Sequence, residues 1–290
     1  MRKKIIFYCY FATIVALIIG CGETQKENVF VVSVDPQRAL LEEIVGDRYE
    51  VVSVLTPGSN PETFEPGMQT RRQLENATAY FTTGYLPFEH KLAESLPESV
   101  EIINSSSGIK PVYGTHEHHH DNNHEESDNH EEGADPHVWT SVQNARLIAK
   151  NMYDEVVKKD PEGKDYYFAR YSALDQRLDS LDQAFSKQLR NIPTKAFAIW
   201  HPSLSYLARD YGLEQIAVGF ENKEMPAGIL REVIEEAKED GVRVFFFQKE
   251  FDGRQAEILN KELGTTLITI NPLDYDWEKQ LDGIVSALCR

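Results

Sequence analysis

Along this chain, short runs of β-branched and aromatic residues alternate with amphipathic segments, and that alternation leaves few folds open. Residues 29–34, 51–55, 79–83 and 101–103 read as short buried strands, separated by helical stretches near 36–47, 68–77 and 87–96. A second set repeats the plan at 196–200, 215–218, 242–247 and 266–270, with helices near 203–211, 227–240 and 253–263. A buried strand followed by a helix returns to its own sheet through a crossover, so the pattern predicts an α/β protein of two βαβ-type lobes with mainly parallel sheets. Between the sets the chain is helical, with a break around Asp160-Pro161-Glu162-Gly163. Past that break Tyr167, Tyr171, Leu174, Leu178, Leu181 and Phe185 recur at three- and four-residue spacing, the stripe of a helix packed on a core. The expected organisation is an N-terminal lobe at 29–140, a connector at 141–190 whose long helix joins the lobes, and a C-terminal lobe at 191–290.

Ahead of the first lobe, Met1-Arg2-Lys3-Lys4 precedes an apolar run at 5–19 that is too short to span a bilayer comfortably and ends at Ile18-Ile19-Gly20-Cys21. This resembles a bacterial lipoprotein signal, which implies removal of 1–20, a lipid on the Cys21 thiol and a polar tether at 21–28. The other reading is an uncleaved anchor; either one places the domain outside the cytoplasm. Of the three cysteines, Cys9 would leave with the signal and Cys21 would be capped, so Cys289 alone could form neither an internal disulfide nor a cysteine-based zinc site. Loss of Arg2, Lys3 and Lys4 leaves 27 basic against 47 acidic residues, a charge of −20 with neutral histidines. A field of that sign argues against nucleic acid as a partner and concentrates cations.

Seven of the nine histidines, His116, His118, His119, His120, His124, His130 and His137, fall among Glu and Asp between Thr115 and His137. Imidazole and carboxylate are the ligands of zinc and its first-row neighbours, whereas a plain solvated loop needs no such density of histidine. Within it, His116-Glu117-His118-His119-His120 matches the H-E-x-x-H pattern of zinc peptidases in letters only, since no apolar face accompanies it to aim two histidines at one ion. The loop's composition gives it no packed core, so each captured ion must order the chain; weak, multiple binding is the expectation for the loop histidines at 115–133.

Parallel α/β lobes bind ligands beyond the C-terminal ends of their strands. Strand 51–55 runs into Thr56-Pro57-Gly58-Ser59-Asn60-Pro61-Glu62-Thr63-Phe64-Glu65-Pro66, strand 196–200 into His201-Pro202, strand 242–247 into Gln248-Lys249-Glu250, and strand 266–270 into Asn271-Pro272-Leu273-Asp274-Tyr275-Asp276-Trp277. With His137, these ends converge on one cleft between the lobes.

The Pro-Gly-Ser-Asn-Pro-Glu-Thr-Phe-Glu-Pro run from Pro57, the Asp-Pro-His-Val-Trp-Thr-Ser run from Asp135, His201 with 203–213, and Asn271-Pro272-Leu273 resemble, in order, motifs of the metal-binding solute receptors of bacterial ABC importers. The His-rich acidic loop is similar to that of the zinc branch. The resemblance implies two α/β lobes joined by one long helix, a buried metal site between them, and delivery of the ion by a monomeric receptor to an ABC permease driven by a separate ATPase. His137 and His201 stand at the family's ligand positions. Glu62 stands where a histidine is usual, Asn271 where an aspartate is frequent, and Gln248 where a strand-end glutamate is common. Carboxylate can replace imidazole on zinc, so Glu62, His137 and His201 form a sound three-ligand set, with the fourth position open to water, a second Glu62 oxygen, Asn271, Asp274 or Asp276. Two histidines and a glutamate suit Zn2+; further oxygen ligands would move the site toward Mn2+. Two other readings stay open: a zinc hydrolase with Glu62 as general base on a metal-bound water, and a passive zinc-buffering or adhesin lipoprotein.

Overall fold

The computed structural model describes residues 28–113, 133–219, 227–251 and 253–290. Strands β1 (Val29–Val32), β2 (Glu50–Ser53), β3 (Ala79–Thr82) and β4 (Ile102–Asn104) form a parallel sheet in the order β2-β1-β3-β4. Val29 lies opposite Glu50, Phe30 opposite Ala79 and Tyr80 opposite Ile102. Helices α1 (Asp35–Val45), α2 (Met68–Asn76) and α3 (Pro87–Ser95) connect these strands.

The connector 141–190 arrives as two helices, divided where the sequence places the break. Helix α4 (Val142–Lys159) is capped by Ser141, whose hydroxyl accepts the Asn144 N–H at 3.0 Å. At the break the Asp160 carboxylate accepts from the Gly163 N–H, the Tyr167 hydroxyl and Arg48, at 3.1, 2.6 and 3.2 Å. Helix α5 (Lys164–Leu189) then runs 26 residues, a span of about 39 Å. It is the long helix that joins the lobes, and Arg177 on it grips Glu43 of α1 as well as Glu278 on the C-terminal side.

The second sheet repeats the first: β5 (Ala196–Ile199), β6 (Glu214–Ala217), β7 (Val244–Gln248) and β8 (Thr266–Ile270), all parallel, in the order β6-β5-β7-β8. Helices α6 (Ser205–Tyr211), α7 (Ala227–Glu239), α8 (Gly253–Leu263) and α9 (Trp277–Leu288) complete it. In both sheets the strand order reverses between the first and third strands, the crevice where open α/β sheets place ligands. The two-lobe α/β expectation is borne out.

Two details depart from the sequence reading. The fourth strand of the first sheet is expected to be buried, but among the described residues β4 pairs only with β3, as an edge strand, and Ile102 is 37% exposed. The strand expected from 242 begins at Val244, because Gly241 takes a φ of +65° and the Val242 N–H donates back to the Ala237 carbonyl at 2.9 Å, which ends α7.

One apolar core extends from the first sheet through α4 and α5 into one face of the second, joining Phe30, Phe81, Trp139, Ile148, Tyr206 and Phe246. A second cluster, around Val233, Phe245 and Leu259, fills the opposite face beneath α7 and α8. The lobes are therefore packed together, not merely tethered.

The loop that follows β3 depends on one buried carboxylate. Glu89 of α3, 3% exposed, accepts from the backbone N–H groups of Thr83, Gly84 and Leu86 at 2.6, 2.8 and 3.2 Å, from the Thr83 hydroxyl at 3.0 Å, and from the Ser33 hydroxyl. A glutamine offers one acceptor oxygen and turns an NH2 toward N–H donors. Glu89→Gln should therefore destabilise the fold by about 2 kcal/mol in urea unfolding, and an unchanged midpoint would contradict this account of the loop.

Candidate metal centre

Glu62 is delivered by the loop after β2, which its own side chains shape. Asn60 Oδ1 accepts the Glu62 N–H at 2.8 Å, an Asx turn, and the Thr56 and Ser59 hydroxyls meet at 2.7 Å. Downstream, Phe64 packs edge-on against Phe88 of α3 at 5.4 Å between ring centres, and Glu65 pairs with Lys91. The carboxylate is thereby held over the cleft with its side chain 18% exposed.

His137 opens a single 3-10 turn (Val138–Thr140), in which its carbonyl accepts the Thr140 N–H at 3.1 Å and the Thr140 hydroxyl at 2.9 Å. Trp139 anchors this turn across the lobes, its ring 1% exposed and its Nε1–H donating to the Pro272 carbonyl at 2.9 Å. His201 follows β5. Its backbone N–H donates to Gln248 Oε1 at 3.1 Å, while Gln248 Nε2 donates to the His201 carbonyl and, at 2.8 Å, to the Ser203 hydroxyl. The amide of Gln248 thus makes the accepting and donating bonds of a strand neighbour, which a glutamate carboxylate could not do. Both of its polar atoms are committed to that task.

Glu62, His137 and His201 each offer one ligand atom, and these atoms all lie within 4.8 Å of one another. His201 Nε2 is 3.2 Å from Glu62 Oε1, and the two imidazole rings are 5.2 Å apart at 71°. Ligands of a tetrahedral ion with bonds of about 2.1 Å stand roughly 3.4 Å apart, so small adjustments would close this set on one ion. Among the described residues, another carboxylate group, Glu214, Glu236 and Asp240, is exposed and offers oxygen only.

Asp135 orders the site from behind, although the Asp-Pro-His motif first suggests only the histidine as functional. Its Oδ1 accepts the His137 backbone N–H at 2.8 Å and lies 2.9 Å from Nδ1, with the carboxylate fully buried. A proton shared on Nδ1 leaves Nε2 with its lone pair toward the cleft, the tautomer a metal ligand needs. The signal lay in spacing: a carboxylate two residues before the histidine, across a proline, can reach that residue's own backbone. Burial works to lower the His137 pKa, but the Asp135 carboxylate, aided by Glu62 and Glu250, outweighs it and holds the imidazole above its ordinary value. Burial likewise pushes Glu250 up, against the pull of His137 and His201. Acidic groups thus surround the two imidazoles, an arrangement that favours a cation.

Glu250 also lines an adjoining cavity of about 470 Å³ between the lobes, together with Asp35, Ser59, Asn271 and Asp274. Asn271 is engaged in its own turn: its N–H donates to Gln280 and its Nδ2 to Asp274 Oδ2, both at 3.1 Å. Asp274 Oδ1 accepts the Asp276 N–H at 3.0 Å. The structure therefore gathers Glu62, His137 and His201, and places Asn271, Asp274 and Glu250 along the neighbouring cavity. His116, His118, His119, His120, His124 and His130, like the 5–19 run and Cys21, lie outside the described residues.

Residues 30–284 match the model of the ZnuA family, described as zinc-uptake complex component A, periplasmic. The chain is 28% identical over 261 residues to the high-affinity zinc uptake system protein ZnuA of Bacillus subtilis, covering 88% of this chain and 82% of that one. It is 26% identical over 302 residues to the zinc-binding protein AdcA of Streptococcus pyogenes, covering 97% of this chain but spanning only 58% of AdcA. A crystal structure of a ZnuA deletion mutant with zinc bound superposes with a TM-score of 0.79 at 29% identity, covering 90% of this chain and 96% of that one.

If Asp135 sets the tautomer and aim of His137, Asp135→Asn should weaken divalent-metal binding by about 10- to 100-fold in chelator competition. Undiminished affinity in a folded variant would remove Asp135 from the site.

Proposed function

This chain belongs to the ZnuA family, the periplasmic component A of zinc-uptake complexes, and on that premise we propose that it is an extracytoplasmic receptor which captures Zn2+ between its lobes for import. The observation that carries the reading is the cluster of part-buried Glu62 with buried His137 and His201, drawn from both lobes and backed by Asp135. Two imidazoles and a carboxylate match zinc at four-coordination, and in a mixture of ions a nitrogen-containing site favours zinc over manganese. The zinc-uptake role that names the Bacillus relative and the zinc in the related crystal structure point the same way.

The remaining coordination position falls to water, a second Glu62 oxygen or an oxygen from the adjoining cavity, where Asn271, Asp274 and Glu250 stand. The ion then passes to an ABC permease powered by a separate ATPase, with the receptor a monomer held at the membrane through a lipid on Cys21. The loop histidines at 116, 118, 119, 120, 124 and 130 hold further zinc more weakly and raise the local supply near His137.

A hydrolase reading would place Glu62 behind a metal-bound water as general base. Its Oε1 instead lies 3.2 Å from His201 Nε2, a ligand-to-ligand distance, which favours direct coordination. Titration calorimetry separates the readings. One tight zinc site is expected in the protein, abolished by His201→Ala and by His137→Ala, weakening as pH falls through the histidine range, with no hydrolysis of ester, peptide or lactam substrates. Tight binding that survives both substitutions would place the site elsewhere, and metal-dependent turnover would favour the enzyme.

A further inference from the structure

His137 and His201 come from different lobes, so their separation depends on what joins the lobes at that depth. Tyr206 stands there. It follows His201 by little more than a helical turn, at the start of α6, and is fully buried. Its hydroxyl donates to the Asp135 carbonyl at 2.7 Å and accepts the Val112 N–H at 3.4 Å. Val112 and Asp135 are themselves joined, the Asp135 N–H donating to the Val112 carbonyl at 2.8 Å beside an antiparallel bridge between Tyr113 and Ala134. One phenol therefore ties together the two segments that lead into and out of the His-rich stretch, and does so at the residue whose carboxylate holds His137.

Further contacts keep the phenol in place. The Arg209 guanidinium lies 5.0 Å from the centre of the Tyr206 ring, its Nη1 donates to the Lys110 carbonyl at 2.8 Å, and its Nη2 donates to Asn144 Oδ1 at 3.1 Å. Asn144 Nδ2 in turn donates to the Val138 carbonyl at 3.0 Å, next to His137. Burial, reinforced by the Asp135 carboxylate, raises the phenol's pKa, so the hydroxyl keeps the proton it donates.

We propose that Tyr206 is a positioning residue for metal capture: by holding the Asp135 backbone, the C-terminal lobe that carries His201 sets the placement of the Asp135–His137 pair in the N-terminal lobe. The proposal rests on the reading of Glu62, His137 and His201 as the zinc site. It gives the tyrosine a function that core packing alone would not require, since a phenylalanine would fill the same volume.

Zinc affinity is measured by chelator competition on the full folded chain, for the unmodified protein, Tyr206→Phe, Asp135→Asn and the double variant. Tyr206→Phe is expected to lose about tenfold in affinity. In the Asp135→Asn background the same change should cost less than about twofold, because the intermediary has already been lost. A structural role alone would lower the melting temperature and leave affinity unchanged, and that result overturns the proposal, as does an equal tenfold loss in both backgrounds. Should Tyr206→Phe fail to fold, hydrogen exchange at the Val112 amide of the unmodified protein decides: zinc should slow it at least about tenfold, and no response overturns the proposal. Failure of the unmodified protein to bind zinc, or full binding in His201→Ala, would instead sink the zinc-site reading, so the two failures are distinct.

Discussion

The hydrogen bond that the buried Asp135 carboxylate accepts from His137 is the interaction around which the site is built. Imidazole can present either nitrogen, and a histidine without a partner on its ring would sample both tautomers and several rotamers. A fully buried carboxylate on the Nδ1 side removes that freedom before any ion arrives. The arrangement costs desolvation of Asp135, which the His137 partner and the backbone N–H offset; that pairing holds the Asp135 pKa below the usual carboxylate value, even though burial alone would raise it.

The fold serves this geometry by making the cleft continuous with the core. Trp139 reaches across to the Pro272 carbonyl, Tyr206 to the Asp135 carbonyl, and Arg177 on the long helix to glutamates of both lobes. His201 sits at the reversal point of the second sheet, where strand ends diverge and leave room for a ligand. Gln248, at the end of β7, then ties its backbone in both directions. Glu62 is the most adjustable member, carried on an irregular loop and held by an Asx turn and an aromatic contact. Such a site has two buried imidazoles, one of them oriented by Asp135, and one carboxylate carried on an irregular loop.

Much of this was legible in the sequence because strand burial and parallel topology are written in local patterns. The double set of strands and the connector break at Asp160 follow from runs of β-branched residues and from where those runs end, whereas the choice of Glu62, His137 and His201 as one set rested on the resemblance to metal-binding receptors. Edge exposure was not legible, since the composition at 101–103 resembles that of a central strand and only pairing shows β4 to be an edge. The functions of Gln248 and Tyr206 were also hidden. Each acts through a backbone group distant in sequence, and a side chain's partner across a fold leaves no periodic trace. Asn271 illustrates the converse: its position suggested a ligand, while its amide is engaged with Asp274 in a turn before proline.

The central claim, that one zinc ion is held between the lobes by Glu62, His137 and His201, is tested most directly by diffraction from zinc-loaded crystals at energies on either side of the zinc absorption edge. The account predicts a single strong anomalous peak bonded to a Glu62 carboxylate oxygen, His137 Nε2 and His201 Nε2 at about 2.0–2.2 Å. A fully occupied zinc peak elsewhere, with this trio lacking anomalous density, would contradict it.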